Sequence, residues 1–148
     1  MSAGIAVPLG MSVLAAVVCA SPASAAGYAH FDDTQVTVFP GCSGTTSAEA
    51  MVAPLQEGNR VENGVAVAVH FSSDNRTAAC ALDVETTWRN RDTGASGRQS
   101  ITVASTADPA SGGHYGSAGY SRGTLWTGPG RVVVTVSTHP GSAREITV

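Results

Sequence analysis

Gly119-Tyr120-Ser121-Arg122-Gly123 carries the G-x-S-x-G spacing of a hydrolase nucleophile elbow. In such an elbow the serine sits on a sharp strand-to-helix turn that lifts its hydroxyl above a sheet, and an acidic residue and then a histidine come later in the chain. Here His139 comes after Ser121, but no Asp or Glu lies between them, and Thr124-Leu125-Trp126-Thr127-Gly128 reads as strand and turn. The spacing is therefore read as a coincidence of a Gly- and Ser-rich stretch. Asp83 and Glu85 alternate on one strand face, which places their Cα atoms roughly 7 Å apart. Paired carboxylates near that distance serve glycoside hydrolysis when their surroundings make one a proton donor. Beside Arg89 on a polar strand face, the pair reads instead as solvated charge with cross-strand partners.

His30, His70, His114 and His139 are scattered, without the short spacings that preform a zinc site. His30 has one sharper role. Cleavage of the chain after Ala29 would make it the N-terminal residue, and its amine and imidazole nitrogens would suit Cu(II). The remaining candidates lie in Gly112-Gly113-His114-Tyr115-Gly116 and the segment that runs on to Trp126. His114, Tyr115, Tyr120 and Arg122 gather ring and guanidinium groups in this Gly-rich region. These are types that anchor binding surfaces, because they bury area and still hydrogen-bond. In the alternative reading Trp126 and Tyr120 fill the core and the glycines form a loop.

Charge narrows the partners. The 148 residues carry eight basic side chains, all arginine, and eleven acidic ones, for a net charge of −3. That is not the basic face of a nucleic-acid binder, and charge of either sign is too sparse for a lipid surface. A hydrophobic fraction of 43% places the chain among folded proteins rather than disordered ones.

Residues 1–26 contain no charge, and an apolar run, Val13-Leu14-Ala15-Ala16-Val17-Val18, leads to Ser21-Pro22-Ala23-Ser24-Ala25-Ala26. An apolar run ending in small residues at the cleavage positions predicts a secretory signal peptide, although no basic residue precedes it. Pro8, Gly10 and Pro22 make a poor membrane anchor, and Val18 stands where lipidation at Cys19 wants a smaller residue. Residues 27–148 then form one domain holding a single cysteine pair. In an exported chain Cys42 and Cys80 predict a disulfide, and closing a loop of about 39 residues is worth roughly 4 kcal/mol in the chain-entropy model. Asn75-Arg76-Thr77 is a glycosylation sequon, meaningful only in a eukaryotic secretory pathway.

The body alternates with period two. Val65, Val67, Val69 and Phe71 share one face of a strand, with Ala66, Ala68 and His70 on the other. Cys80, Leu82, Val84, Thr86 and Trp88 alternate with Asp83, Glu85, Thr87 and Arg89, and a turn-rich segment leads from there to Gln99, Ile101 and Val103. Arg131 to Val136 reads as a buried strand and Arg144 to Val148 as the last one. Gln35 to Phe39 and Ser117 to Trp126 are weaker. Thr46-x-x-Glu49 has capping-box spacing and predicts a short helix that Pro54 stops. About seven short strands predict an all-β, two-sheet sandwich, with an eight-stranded barrel as the alternative.

Over residues 34–148 this pattern resembles immunoglobulin-like domains in architecture, although Trp88 and Trp126 both lie beyond Cys80, whereas those domains place the core Trp between the cysteines. The missing lysine and the abundant Ala, Gly, Thr and Val resemble small exported proteins of high-GC bacteria. The resemblance carries over architecture alone; it is the lack of a coherent catalytic constellation that leads to the expectation of an exported, non-enzymatic module that binds a protein or cell-envelope component and needs no cofactor. A copper protein using His30 and a small hydrolase using Ser121 or the Asp83/Glu85 pair are the alternatives. The expected location is secreted or envelope-associated. Intact mass with N-terminal sequencing checks this. The mature chain is expected to start at Ala26 or Gly27 and to gain one pair of hydrogens on reduction, whereas a start at His30 would bring copper forward.

Overall fold

A computed structural model describes residues 27–75, 78–105 and 118–148. Eight strands form two antiparallel four-stranded sheets, one more strand than the sequence predicts. They are β1 (Tyr28–Phe39), β2 (Cys42–Glu57), β3 (Arg60–Ser73), β4 (Ala81–Asn90), β5 (Ser96–Ala104), β6 (Ala118–Leu125), β7 (Arg131–Val136) and β8 (Ala143–Thr147). The first sheet runs β1-β2-β3-β6 and the second β5-β4-β7-β8. In an immunoglobulin domain the second and third strands lie in opposite sheets. Here β2 and β3 form one long hairpin within a sheet.

The predicted alternation is what builds the core. Val65, Val67, Val69 and Phe71 of β3 face Leu82 and Val84 of β4, Ile101 and Val103 of β5, and Val132, Val134 and Val136 of β7 in one buried cluster. Most of these side chains are β-branched, which suits them to a pleated surface. The Cys42–Cys80 bridge crosses between the sheets with its Cα atoms 5.6 Å apart, and both residues are buried. Nearby, Asn75 donates from its side-chain amide to the carbonyl of Gly41 at 2.7 Å, so the sequon nitrogen is engaged in the fold. Arg76 and Thr77 lie outside the described residues.

The predicted helix at Thr46 does not form; the segment lies inside β2. Thr46, Ala48 and Ala50 are buried on one face and Glu49 points the other way, a period of two that burial enforces over the capping signal. The Thr46 hydroxyl donates to the carbonyl of His70 at 2.9 Å rather than to a helix N-terminus. Pro54 is tolerated because it shares the orientation of Val52, whose N–H donates toward β1 at the Gly27 carbonyl (2.9 Å). Since β1 begins opposite Met51, no strand among the described residues awaits a donor at Pro54.

Asn90, fully buried at the end of β4, closes the far corner. Its amide donates to the carbonyls of Thr127 (3.0 Å) and Pro129 (2.8 Å), and its Oδ1 accepts from the N–H groups of Asp92 and Thr93. Gly130, at φ 125°, passes so close that a Cβ would sit 3.0 Å from that Oδ1.

The β7–β8 connection brings His139 against β1. His139 is buried, its Nε2 2.7 Å from the carbonyl oxygen of Asp32, its Nδ1 2.9 Å from the Thr138 hydroxyl and its ring 5.5 Å from Phe31. Desolvation holds its imidazole below the ordinary value; the Asp32 carbonyl and carboxylate oppose this, and Arg144 and His30 add to it. Such a group binds fewer protons folded than unfolded. Its contribution is therefore complete above the unfolded value of about 6.5 and is lost as pH falls through the folded one. The thermal midpoint is expected to fall between about pH 7.5 and about pH 5.5, and to fall less in His139→Gln, as read by calorimetry.

Candidate functional site

Pairing of β3 with β6 sets His70 opposite Tyr120, Ala68 opposite Arg122 and Ala66 opposite Thr124. Because alternate residues share a face, Tyr120, Arg122 and Thr124 all stand on the outer surface of the β1-β2-β3-β6 sheet. Tyr120 is 60% exposed, and its ring lies 4.9 Å from that of His70. Tyr28 and His30 stand on the same surface at the far edge, opposite Met51 and Glu49 of β2. Desolvation, and then the carboxylate of Glu49, hold the Tyr28 phenol above its ordinary value.

The strands between these two edges carry small residues on this side. Gly64, Ala66 and Ala68 are buried although they face outward. At one end the β2–β3 hairpin folds over them. Leu55 is buried with Ala53 and Ala66, against Met51 and Trp126, and a Cβ on Gly64 would sit 2.6 Å from the Leu55 Cδ1. The Arg60 guanidinium lies 4.6 Å from the Trp126 ring centroid and is paired with Glu62 at 2.7 Å. Between the hairpin and β6 lies an open groove of about 530 Å³, lined by Leu55, Gln56, Glu57, Arg122, Thr124 and Trp126. It offers apolar wall, an exposed guanidinium and a carboxylate together, the mixture that holds an amphipathic partner surface.

Of the sequence candidates, then, Tyr120 and Arg122 come together and gain His70 and Trp126 as neighbours. His114 and Tyr115 lie outside the described residues. His70 was legible only as the outward residue of a strand; what places it under Tyr120 is register across two strands far apart in sequence.

Ser121 does not stand on an elbow. It lies inside β6, turned toward the sandwich interior with Gly119 and Gly123. The two glycines are there for packing. A Cβ on Gly119 would overlap the carbonyl oxygen of Ala104, and one on Gly123 would come within 2.7 Å of the Ile101 Cδ1. His139 contacts β1, whereas Ser121 sits on β6, the opposite edge of the same sheet. Three strand spacings of about 4.8 Å separate those edges. Asp83 accepts a hydrogen bond from Thr102 at 2.5 Å, and both Asp83 and Glu85 are exposed. Glu85 borders a second groove of about 480 Å³ with Thr87, Ser137, His139, Pro140 and Ser142.

His30 is exposed, and its carbonyl accepts from the Arg144 Nε at 2.8 Å. Residues ahead of it are already structural. Gly27 accepts from Val52 and Ala29 packs on the core, so a chain trimmed to His30 would lose the start of β1. Among the described residues, no group of three His, Cys, Asp or Glu side chains is gathered as metal ligands. No helix among them is long and apolar enough to cross a membrane. Comparison with protein-family models, with curated proteins and with solved structures finds no match for this chain.

The packing of β6 gives a direct check on the motif. Gly119→Ala is expected to destabilise the fold by about 1–3 kcal/mol, the usual cost of overpacking, and Ser121→Ala by less than about 1 kcal/mol. Denaturant midpoints of the two variants measure the difference.

Proposed function

We propose that this protein is an exported, non-enzymatic β-sandwich module that binds a protein or cell-envelope component through the outer face of the β1-β2-β3-β6 sheet. The observation that carries the reading is that Tyr120 and Arg122 stand adjacent on that face, beside a groove walled by Leu55 and Trp126. Tyr, Trp and Arg dominate binding energies because each buries a large area and keeps a hydrogen-bonding end. Two features support export. The segment 1–26 has the composition of a signal peptide, and the buried Cys42–Cys80 bridge suits an oxidising compartment. The likeness to immunoglobulin-like domains goes no further than a two-sheet sandwich stapled across its core, and carries no functional residue with it.

The hydrolase and copper readings draw less from the geometry. Ser121 faces inward, Asp83 is engaged by Thr102, and His30 sits within a strand whose first residues pack on the core.

The test uses the disulfide-intact protein as immobilised bait against an extract of exported and envelope proteins, with Tyr120→Ala/Arg122→Ala as the comparison. A partner retained by the native chain is expected to bind the double variant at least about tenfold more weakly, a loss of about 1.4 kcal/mol, with the thermal midpoint unchanged. Equal retention by both chains would remove the assignment of this face.

A further inference from the structure

Sheet edges expose rows of unpaired N–H and C=O groups, which folded proteins cover, bend or charge. Here the two edges at one side cover each other: β6 lies against β5, with the glycine positions Gly119 and Gly123 abutting Ala104 and Ile101. At the other side, side chains from the β7–β8 hairpin cap the first half of β1. Arg144 donates to the His30 carbonyl at 2.8 Å, and His139 holds the Asp32 carbonyl at 2.7 Å. Among the described residues the second half of β1 has no such cover. Thr34–Phe39 pairs with β2 alone, and Val38 and Phe39 are 39% and 52% exposed. Register shifts at Phe31/Thr34 and Thr37/Phe39 leave Thr34–Thr37 as the regular stretch between them.

We propose that this edge receives a second copy of the chain, the two β1 strands pairing antiparallel about a two-fold axis at Val36. The two β1-β2-β3-β6 sheets then become one continuous sheet.

The sequence of the segment favours a copy of itself. Thr34-Gln35-Val36-Thr37-Val38-Phe39 contains no charge and no proline, so of the usual guards against edge pairing only the register shifts at Phe31/Thr34 and Thr37/Phe39 are present. An axis at Val36 puts Gln35 opposite the partner's Thr37 and Thr34 opposite the partner's Val38, pairs that carry no electrostatic penalty. Asp32 and Asp33 fall opposite the partner's Pro40 and Phe39 and stay clear of their own symmetry mates. Like any two-fold contact, the interface uses one patch twice and closes on itself. The exposed Val38 and Phe39 supply apolar area at both ends of the new pair. Because the regular stretch is short, the dimer is expected to be concentration-dependent. It leaves the outer face bearing Tyr120 and Arg122 open and does not depend on the function proposed for that face.

Gln35 and Thr37 are exposed and point away from the core, so charge placed there tests register without unfolding the monomer. Sedimentation of the disulfide-intact protein over a range of concentrations is expected to show twice the monomer mass at the high end and dissociation on dilution. In Gln35→Lys/Thr37→Lys each new lysine faces a lysine of the partner, and the chain is expected to stay monomeric with an unchanged thermal midpoint. In Gln35→Lys/Thr37→Glu each lysine faces a carboxylate, and the dimer is expected to return. Ser100→Lys, on the outer face of β5, is expected to dimerise as the native chain does. A native chain that stays monomeric at every concentration overturns the proposal, as does a double-lysine variant that still dimerises. Pairing of this edge with a strand of a different protein, in place of self-association, overturns it as well.

Discussion

Strand β4 is fastened at both of its ends, by the disulfide to the opposite sheet and by Asn90 to the connection that leads from that sheet back to β7, and the sandwich depends on that constraint. Cys80, one residue ahead of the strand, is bonded to Cys42 at the start of β2, while Asn90, at its last position, donates to the carbonyls of Thr127 and Pro129 in the β6–β7 connection. A covalent link fixes one end and a buried amide network the other. The material between them explains why both are needed. The core is mostly valine and alanine, and aromatic residues make up only 5% of the chain. Each valine contributes at the lower end of the roughly 1.5–3 kcal/mol gained on burying a large apolar side chain, and each alanine less. A core of small side chains holds two sheets together with little to spare, so the cross-link, worth roughly 4 kcal/mol in the chain-entropy model, is a sizeable part of the margin.

The same economy of side-chain size decides how the sheet edges are treated. On the β5–β6 side, glycine lets backbone approach backbone, so the edges shield each other by proximity. Across the molecule, where β8 is short and β1 long, proximity cannot do this. There Arg144 and His139 reach across with hydrogen bonds, and the Arg144 guanidinium also lies 5.4 Å from the Phe31 ring centroid. The glycine solution is insensitive to pH. The side-chain solution rests on a histidine whose buried, neutral form makes the contact. One edge of the fold therefore carries a titratable fastening and the other does not.

Much of this was legible in the sequence, and the reason is the period of two. Strands β3 and β4 alternate strongly enough that their inward faces came from side-chain type alone, and the apolar run of β7 marked its bounds, whereas β3 begins at Arg60, ahead of the alternation at Val65. Cys42 and Cys80, the only cysteines beyond residue 26, left one possible pairing there. Where reading failed, a local signal met a tertiary one. Thr46 and Glu49 spell a capping box, yet Thr46, Ala48 and Ala50 are needed in the core, and burial of one strand face outweighs a cap worth about 1 kcal/mol. The G-x-S-x-G spacing, read as a coincidence, has a packing reason that the sequence does not state: Gly119 and Gly123 let β6 approach the neighbouring edge strand. The partnership of His70 with Tyr120 was out of reach, because nothing in either segment states the register that joins them.

The two outer faces differ in how their polar groups are spent. On the β5-β4-β7-β8 sheet, Asp83 is bonded to Thr102, Thr87 to Thr135, Arg91 pairs with Glu145 at 3.3 Å and Arg131 with Asp92 at 2.6 Å. The Asp92 carboxyl lies below its ordinary value, chiefly through its hydrogen bond from Arg131. A partner docking there would have to break contacts the monomer already makes and would gain only the difference. Exposed pairs of this kind add about 0–1 kcal/mol to stability, but they set specificity by leaving few groups to satisfy. The other outer face offers rings instead. Tyr120 rests on His70 with more than half its surface in water, and the groove beside it is walled by Leu55 and Trp126. Covering the Tyr120 ring removes apolar area from water, and the Arg60–Glu62 ion pair of that face lies apart from it, at the hairpin end beside Trp126. The difference between the faces is therefore one of what must be undone, and it favours the rings over the charges.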